Sequence, residues 1–191
     1  MKIKQKIILM ALLSAFASNG YSAETNAGTI HFTGEIISPS CTISGTNGTD
    51  STVELGTYPI SYFGSVGTQS PFTMFNILLD NCPVATDGLP AVQLTFNGTT
   101  TLTGSTSLLD VSKITTGGSA AATGVGIEIS PVGADTTLLE FDGREEQVYI
   151  ELTESSSDTI RASFNARYKS FNKTVTAGPA DADLTVNILY R

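Results

Sequence analysis

The chain closes with residues 178–191, Gly-Pro-Ala-Asp-Ala-Asp-Leu-Thr-Val-Asn-Ile-Leu-Tyr-Arg, which carry the strongest fold signal in the sequence. Apolar side chains recur there at every second residue, a period of two that is typical of a β-strand with one buried face. Such a strand either completes a sheet or offers its free edge to another protein, because an uncovered apolar edge is an aggregation hazard. The expected inward positions are Leu184, Val186, Ile188 and Tyr190.

The first 23 residues have the parts of a secretory signal peptide. Three lysines within residues 2–6 form a positive region, residues 7–17 form an apolar run too short to span a bilayer, and residues 22–23 are small. Cleavage after residue 23 is expected, with a cut after residue 22 as the alternative. No second long apolar run follows, so the sequence predicts an exported protein without membrane insertion.

Composition predicts one acidic, all-β domain. Removal of the signal peptide leaves about 168 residues, enough for one domain with its own core. The loss of its three lysines takes the formal net charge from −8 to −11. Such an acidic surface argues against nucleic-acid binding and against binding to anionic membranes. Few residues are charged while Gly, Ser and Thr are abundant, which is typical of an all-β chain with many turns.

Cys41 and Cys82 are the only cysteines. An even number of cysteines in an exported chain predicts one disulfide. Closing a loop of ~41 residues stabilises the fold by about 4 kcal/mol on the chain-entropy estimate. The alternative, a nucleophilic thiol, needs a histidine partner, and the only histidine, His31, lies in a strand-like run. With no zinc-binding spacing, Ser-His-Asp set or paired-carboxylate motif either, we expect neither an enzyme nor a cofactor.

Strand-like runs recur along the chain, and no helix-length amphipathic segment accompanies them. Short strands separated by turn signals predict a single β-sandwich, and the polar residues 24–28 before the first run are expected to form a mobile N-terminal arm. The turn signals are Asn47-Gly48, Asp87-Gly88, Asn97-Gly98, Gly117-Gly118 and Asp142-Gly143. The predicted strands are 29–38, 52–58, 72–79, 91–97, 107–114, 124–130, 147–153, 159–168 and 183–190.

Several of these stretches together resemble the type 1 fimbrial pilins of chaperone–usher systems. The pilins carry a glycine fourteen residues from the C-terminus and a penultimate aromatic residue, and Gly178 and Tyr190 occupy those positions. The resemblance covers essentially the whole mature chain. It is carried by residues 26–41 (Asn-Ala-Gly-Thr-Ile-His-Phe-Thr-Gly-Glu-Ile-Ile-Ser-Pro-Ser-Cys), 52–56 (Thr-Val-Glu-Leu-Gly), 75–82 (Phe-Asn-Ile-Leu-Leu-Asp-Asn-Cys), 122–129 (Ala-Thr-Gly-Val-Gly-Ile-Glu-Ile), 166–168 (Ala-Arg-Tyr) and the C-terminal stretch.

The resemblance implies an incomplete immunoglobulin-like β-sandwich that lacks its last strand, with residues 35–191 as the pilin domain and 24–34 as a donor-strand extension. A periplasmic chaperone lends the missing strand, and at an outer-membrane usher the arm of the next subunit replaces it. Neighbouring subunits then form a head-to-tail fibre on the cell surface, because such contacts do not close. The implied donor residues are Gly28, Ile30 and Phe32, and the implied chaperone and groove edge comprises Gly178, Leu184, Val186, Ile188, Tyr190 and Arg191, whose carboxylate the chaperone anchors.

Other interpretations of these residues stay open. Ile30 and Phe32 also fit a first strand of the subunit's own sheet, Gly28 also fits a flexible hinge, and Tyr190 also fits a last core residue. The alternative to a structural pilin is a minor or tip-adaptor subunit with a receptor-binding role. Tip adhesins of this family carry an additional lectin domain, for which this chain has no room.

Overall fold

The computed structural model describes residues 28–38, 40–112, 114 and 120–190. It divides the chain into two compact units, residues 1–34 and residues 35–191. The predicted signal peptide, the first four residues of the predicted arm, the Gly117-Gly118 turn and Arg191 lie outside the described residues. The part that is described contains no helix long and apolar enough to cross a membrane.

The regular secondary structure of the second unit consists almost entirely of antiparallel strands. One short 3₁₀ helix, Ile60–Phe63, is the exception, and the described residues contain no α-helix. The strands are β1 (Thr42–Ser44), β2 (Thr73–Asp80), β3 (Ala91–Gly98), β4 (Leu109–Asp110), β5 (Val125–Pro131), β6 (Val148–Glu151), β7 (Ile160–Ser170) and β8 (Leu184–Tyr190).

The strands form two sheets. One has five strands in the order β1-β2-β7-β5-β4, and the other has three in the order β6-β3-β8. The core lies between them: the Phe96 ring of β3 meets the Phe164 ring of β7 edge-on, with centroids 5.9 Å apart, and Phe75 of β2 stacks on Phe164 at 5.6 Å. Phe96 and Phe164 are both fully buried. The predicted β-sandwich is confirmed.

Two predicted strands are wrong. Neither residues 52–58 nor residues 29–38 form a strand. Alternation reports which side chains are apolar, whereas a strand also needs a neighbour for its backbone hydrogen bonds. Gly56 has a φ of +87°, which interrupts extended structure in the second stretch. The structure adds a short strand that the sequence did not predict, β1.

The turn signals gave mixed results. Asp87-Gly88 forms the expected two-residue hairpin turn, in which Thr86 and Leu89 exchange two backbone hydrogen bonds of 3.1 Å. The prediction of a turn at Asn97-Gly98 is wrong, because Gly98 is the last residue of β3. A Cβ at Gly98 would lie 2.1 Å from Leu109 Cδ2, so this glycine permits close packing rather than a turn.

Candidate functional site

The terminal strand β8 has one paired edge. Along β3 it runs antiparallel in continuous register, from Val92 opposite Tyr190 to Gly98 opposite Leu184. Its other edge pairs with no strand within the described part of the chain. The alternation of the last residues therefore predicted the strand, and the structure places that strand at the edge of a sheet.

Backbone hydrogen bonds show which residues of β8 face the unpaired edge. On the β6 side of β3, Leu152 N–H donates to Pro90 O (2.9 Å), Gly143 N–H donates to Phe96 O (2.9 Å), and Gly98 N–H donates to Phe141 O (3.0 Å). The backbone N–H and C=O groups of the even-numbered residues of β3 thus point away from β8. The backbone groups of the odd-numbered residues therefore form the hydrogen bonds to β8. By the same alternation, the free backbone edge belongs to Leu184, Val186, Ile188 and Tyr190.

The side chains of those four residues are incompletely covered. Each packs against the core yet remains half-buried, whereas β3 beside them is buried from Val92 to Phe96. Every residue of β8 keeps some exposure to solvent. The inward face of β8 therefore lies along a part of the core that is incompletely covered.

The edge strand β1 of the five-stranded sheet begins beside the last residue of β8. The backbone N–H of Cys41, the residue before β1, donates to the Tyr190 hydroxyl at 2.9 Å. Ile37, Ile43 and Leu55 are half-buried and also pack against the core on this part of the chain. Cys41 is disulfide-bonded to Cys82, as the sequence predicted, and Cys82 lies just beyond the end of β2.

Gly178 lies before β8 rather than within it, since the strand begins at Leu184. A Cβ at Gly178 would lie 2.3 Å from the carbonyl oxygen of Ala120 and 2.6 Å from the backbone nitrogen of Ala122. Ala122 N–H donates to Pro179 O at 2.8 Å. Glycine is therefore required where the segment leading into β8 crosses residues 120–122 at backbone contact distance.

Tyr168 of β7 holds the same leading segment from the other sheet. Its hydroxyl donates to Ala180 O at 3.1 Å, and its ring meets the Tyr58 ring edge-on at 6.1 Å. Burial raises the pKa of the Tyr168 hydroxyl, and the neighbouring Asp181 carboxylate and Tyr58 raise it further. The alternation did not distinguish Tyr168 from an ordinary strand tyrosine, although residues 166–168 are one of the stretches that resemble the pilins.

The predicted donor residues lie in the first unit. Ile30 is 79% exposed and Phe32 is 92% exposed, which is unusual for large apolar side chains. Gly28 has a φ of +144°, a conformation that favours glycine. Arg191, the last residue assigned to the chaperone-facing edge, lies outside the described residues.

A buried ionic cluster on the outer face of the five-stranded sheet escaped the sequence reasoning. The Glu128 side chain is 1% exposed, and its carboxylate accepts hydrogen bonds from Gln69 (2.6 Å), Arg167 and Lys169 (2.9 Å). The Arg167 guanidinium also lies 4.0 Å from the centroid of the Phe72 ring. The sequence did contain a signal, because Glu128 is a charged residue within an otherwise apolar run. In the structure, the register of β5 and β7 places Glu128 opposite Arg167. The described residues hold no cluster of metal-ligating side chains.

The model of the family described as Fimbrial protein matches residues 30–191. The chain belongs to this family. It is 36% identical over 180 residues to a type-1 fimbrial protein subunit of Serratia marcescens, with 94% of each chain covered. It is 33% identical over 183 residues to a fimbrial subunit type 1 of Salmonella typhimurium, covering 96% of this chain and 93% of that one.

Solved structures show the same fold. The P pilus rod subunit PapA aligns with a TM-score of 0.61 at 24% identity, covering 79% of this chain and 99% of that chain. A subunit from a chaperone–usher pilus structure that addresses rod uncoiling aligns with a TM-score of 0.59 at 23% identity, covering 89% and 99%. The incomplete pilin sandwich expected from the sequence is thus confirmed.

The chain is accordingly a structural subunit of a bacterial surface fimbria. A tip adhesin of Pseudomonas aeruginosa, CupB6, shares the fold with a TM-score of 0.53 at 21% identity, but this chain spans only 34% of it. The relatives matched over nearly their full length are fimbrial subunits, so the adhesin alternative is disfavoured.

Proposed function

We propose that this fimbrial subunit polymerises by strand donation, with residues 24–34 of one copy filling the groove beside β8 of another. The observation that carries the proposal is the unpaired edge of β8, whose inward side chains are only half-buried. The arm of a second copy has suitable chemistry, since Ile30 and Phe32 present exposed apolar side chains at alternate positions. Strand addition gives affinity through the backbone and register through the side-chain pockets.

The signal peptide, the disulfide and the groove together indicate a route to the cell surface. Residues 1–23 act as a signal peptide, and the disulfide suits the oxidising periplasm. There a chaperone covers the β8 edge, because an open apolar groove in solution invites aggregation. An outer-membrane usher then exchanges the chaperone for the arm of the next subunit. The boundary between the two compact units, at residues 34 and 35, supports treating the arm as a separate segment.

The proposal is tested by separating donor from acceptor. Mature chain lacking residues 24–30 keeps its groove but loses most of its donor strand, including Gly28 and Ile30, so we expect monomers instead of a high-mass ladder on unheated gels. A synthetic peptide of residues 24–34 should form a one-to-one complex with it, measured by native mass spectrometry. The Ile30→Asp peptide should not bind, because it brings an unpaired carboxylate into an apolar groove.

The Thr29→Asp peptide is the matched control, because it carries the same charge on the opposite face of the arm and should still bind. The arm is not the donor if the truncated chain still forms a ladder, or if it fails to bind the wild-type peptide.

A further inference from the structure

Two tyrosine hydroxyls connect the sheets at the two ends of β8. At the far end, the Tyr190 hydroxyl accepts a hydrogen bond of 2.9 Å from the backbone N–H of Cys41. Cys41 is in turn bonded to Cys82, which is 2% exposed and follows β2. The last side chain of the three-stranded sheet is therefore linked, through one hydrogen bond and one disulfide, to the interior of the five-stranded sheet.

Near the start of β8, the tyrosine belongs to the five-stranded sheet and its hydroxyl bonds the segment that leads into β8. Tyr168 belongs to β7, the central strand of the five-stranded sheet, and its hydroxyl donates to Ala180 O at 3.1 Å, four residues before β8 begins. Its ring is anchored beside Tyr58. Both bonds end on backbone atoms, so each fixes the path of the main chain on the opposite side of the groove.

Just after Ala180, Asp181 exchanges two backbone hydrogen bonds, of 2.7 and 3.0 Å, with Ser112, which follows β4. From Leu184 to Ile188, the described residues show no hydrogen bond between β8 and the five-stranded sheet. Leu184, Val186 and Ile188 are half-buried and contact the core only through apolar side chains. The seven residues of β8 span roughly 23 Å at the rise of an antiparallel strand. Apolar contacts are not directional, so by themselves they would let the edge of β8 move towards the five-stranded sheet and narrow the groove.

We propose that Tyr168 and Tyr190 are positioning residues that hold β8 at a fixed distance from the five-stranded sheet, so that the groove is shaped before a donor strand enters. Each hydroxyl acts as a spacer at one end of the groove. A donor then meets a pre-organised edge, and less of its binding free energy is lost in ordering the acceptor. This inference rests on the proposed function, because it concerns how the groove accepts and retains the donated strand.

The test uses fibres assembled from the full mature chain and measures the rate of subunit release in urea. Tyr190→Phe and Tyr168→Phe each remove one hydroxyl and keep the ring. We expect each to release subunits about 2- to 10-fold faster, the effect of losing one net hydrogen bond. Tyr62→Phe is the matched control, since its hydroxyl bonds Gln69 O within its own loop at 3.4 Å, and it should release subunits at the wild-type rate.

A second measurement separates positioning from general destabilisation. Each tyrosine variant is combined with Gly28→Ala and with Phe32→Ala, which alter opposite ends of the predicted donor set. If the tyrosines act at opposite ends of the groove, Tyr190→Phe should be non-additive with one arm substitution and Tyr168→Phe with the other. Additive effects throughout would indicate loss of overall stability and would overturn the positioning role.

The two hypotheses fail in different ways. If the wild-type chain forms fibres whose release rate is unchanged by both tyrosine substitutions, the positioning role is wrong and strand donation stands. If fibres of the wild-type chain persist after residues 24–30 are deleted, strand donation itself is wrong, whatever the tyrosine variants do.

Discussion

At the residue scale, the approach to β8 depends on backbone contacts that leave no room for substitution. Gly178 is the clearest case, because the atoms nearest to a Cβ there belong to the backbone of residues 120–122 and cannot rotate away. Sequence comparison with pilins drew attention to Gly178, but only the structure explains the glycine. It permits one segment to cross another, and it does not belong to the strand edge.

We expect Gly178→Ala to lower the free energy of unfolding by about 1–3 kcal/mol, as overpacking does in a close-packed interior. Gly64→Ala is the control: its φ is −69°, and the nearest atom to a Cβ there, Ser61 O, is 3.7 Å away. That substitution should be neutral or slightly stabilising. Urea unfolding of both variants measures the difference, and equal midpoints would contradict the crowding argument.

Tyr168 makes stability depend on alkaline pH. Its pKa is raised in the folded chain above the ordinary value of about 10. The neutral hydroxyl is the form that donates to Ala180 O, so its stabilising contribution is complete below the unfolded pKa and is lost as the pH rises through the folded pKa. We expect the urea midpoint to fall more steeply above about pH 10 in the wild type than in Tyr168→Phe. Tyr149→Phe, at an exposed position, should keep the wild-type slope.

At the element scale, the alternation of polar and apolar residues predicted most of the sheet. The runs corresponding to β2, β3 and β5–β8 were all placed correctly, and each forms part of the sandwich. The same signal was wrong for residues 29–38 and 52–58, because alternation does not specify a partner strand. For β8 the alternation was informative twice, since the inward residues are also those whose backbone groups face the free edge.

The two faces of β8 should respond differently to the same charge. Val186→Asp places a carboxylate among the apolar neighbours of Val186, and we expect a loss of about 2–3 kcal/mol together with failure to accept the arm peptide. Asn187→Asp makes a similar acidic change on the exposed face of the strand, and should stay within about 0.5 kcal/mol of the wild type. Urea unfolding and peptide binding measure both effects. Normal peptide binding by the Val186→Asp variant would show that β8 does not line the groove.

At the scale of the whole molecule, the second unit is a sandwich whose smaller sheet is one strand short on the β8 side. The two sheets have four edge strands within the described residues, β1, β4, β6 and β8. The contact between Cys41 and Tyr190 connects the chain beside β1 to the end of β8. The disulfide therefore constrains the chain beside the last residue of β8 as well as the unfolded state of the whole unit. Its effect on stability is measurable separately from fibre formation.

Replacing both cysteines, by Cys41→Ser with Cys82→Ser, should lower the free energy of unfolding by about 4 kcal/mol, because the unfolded chain is no longer constrained by a loop of 41 residues. Reductant should destabilise the wild type by a similar amount and leave the double variant unchanged. Urea unfolding with and without dithiothreitol measures this. Two reactive thiols in the native mature protein would instead exclude the bond.

The amino-acid sequence by itself determined the positions of most strands, the inward residues of β8, the disulfide pair and the family, because these depend on local alternation, residue counts and short motifs. Tertiary structure decided the rest. Strand order, the open edge of β8, the burial of Glu128 between Arg167 and Lys169, and the crossing at Gly178 all join residues far apart in the chain. A pattern with a period of two shows which side chains seek a core, but the partner on the other side of that core is chosen only when the sheets pack.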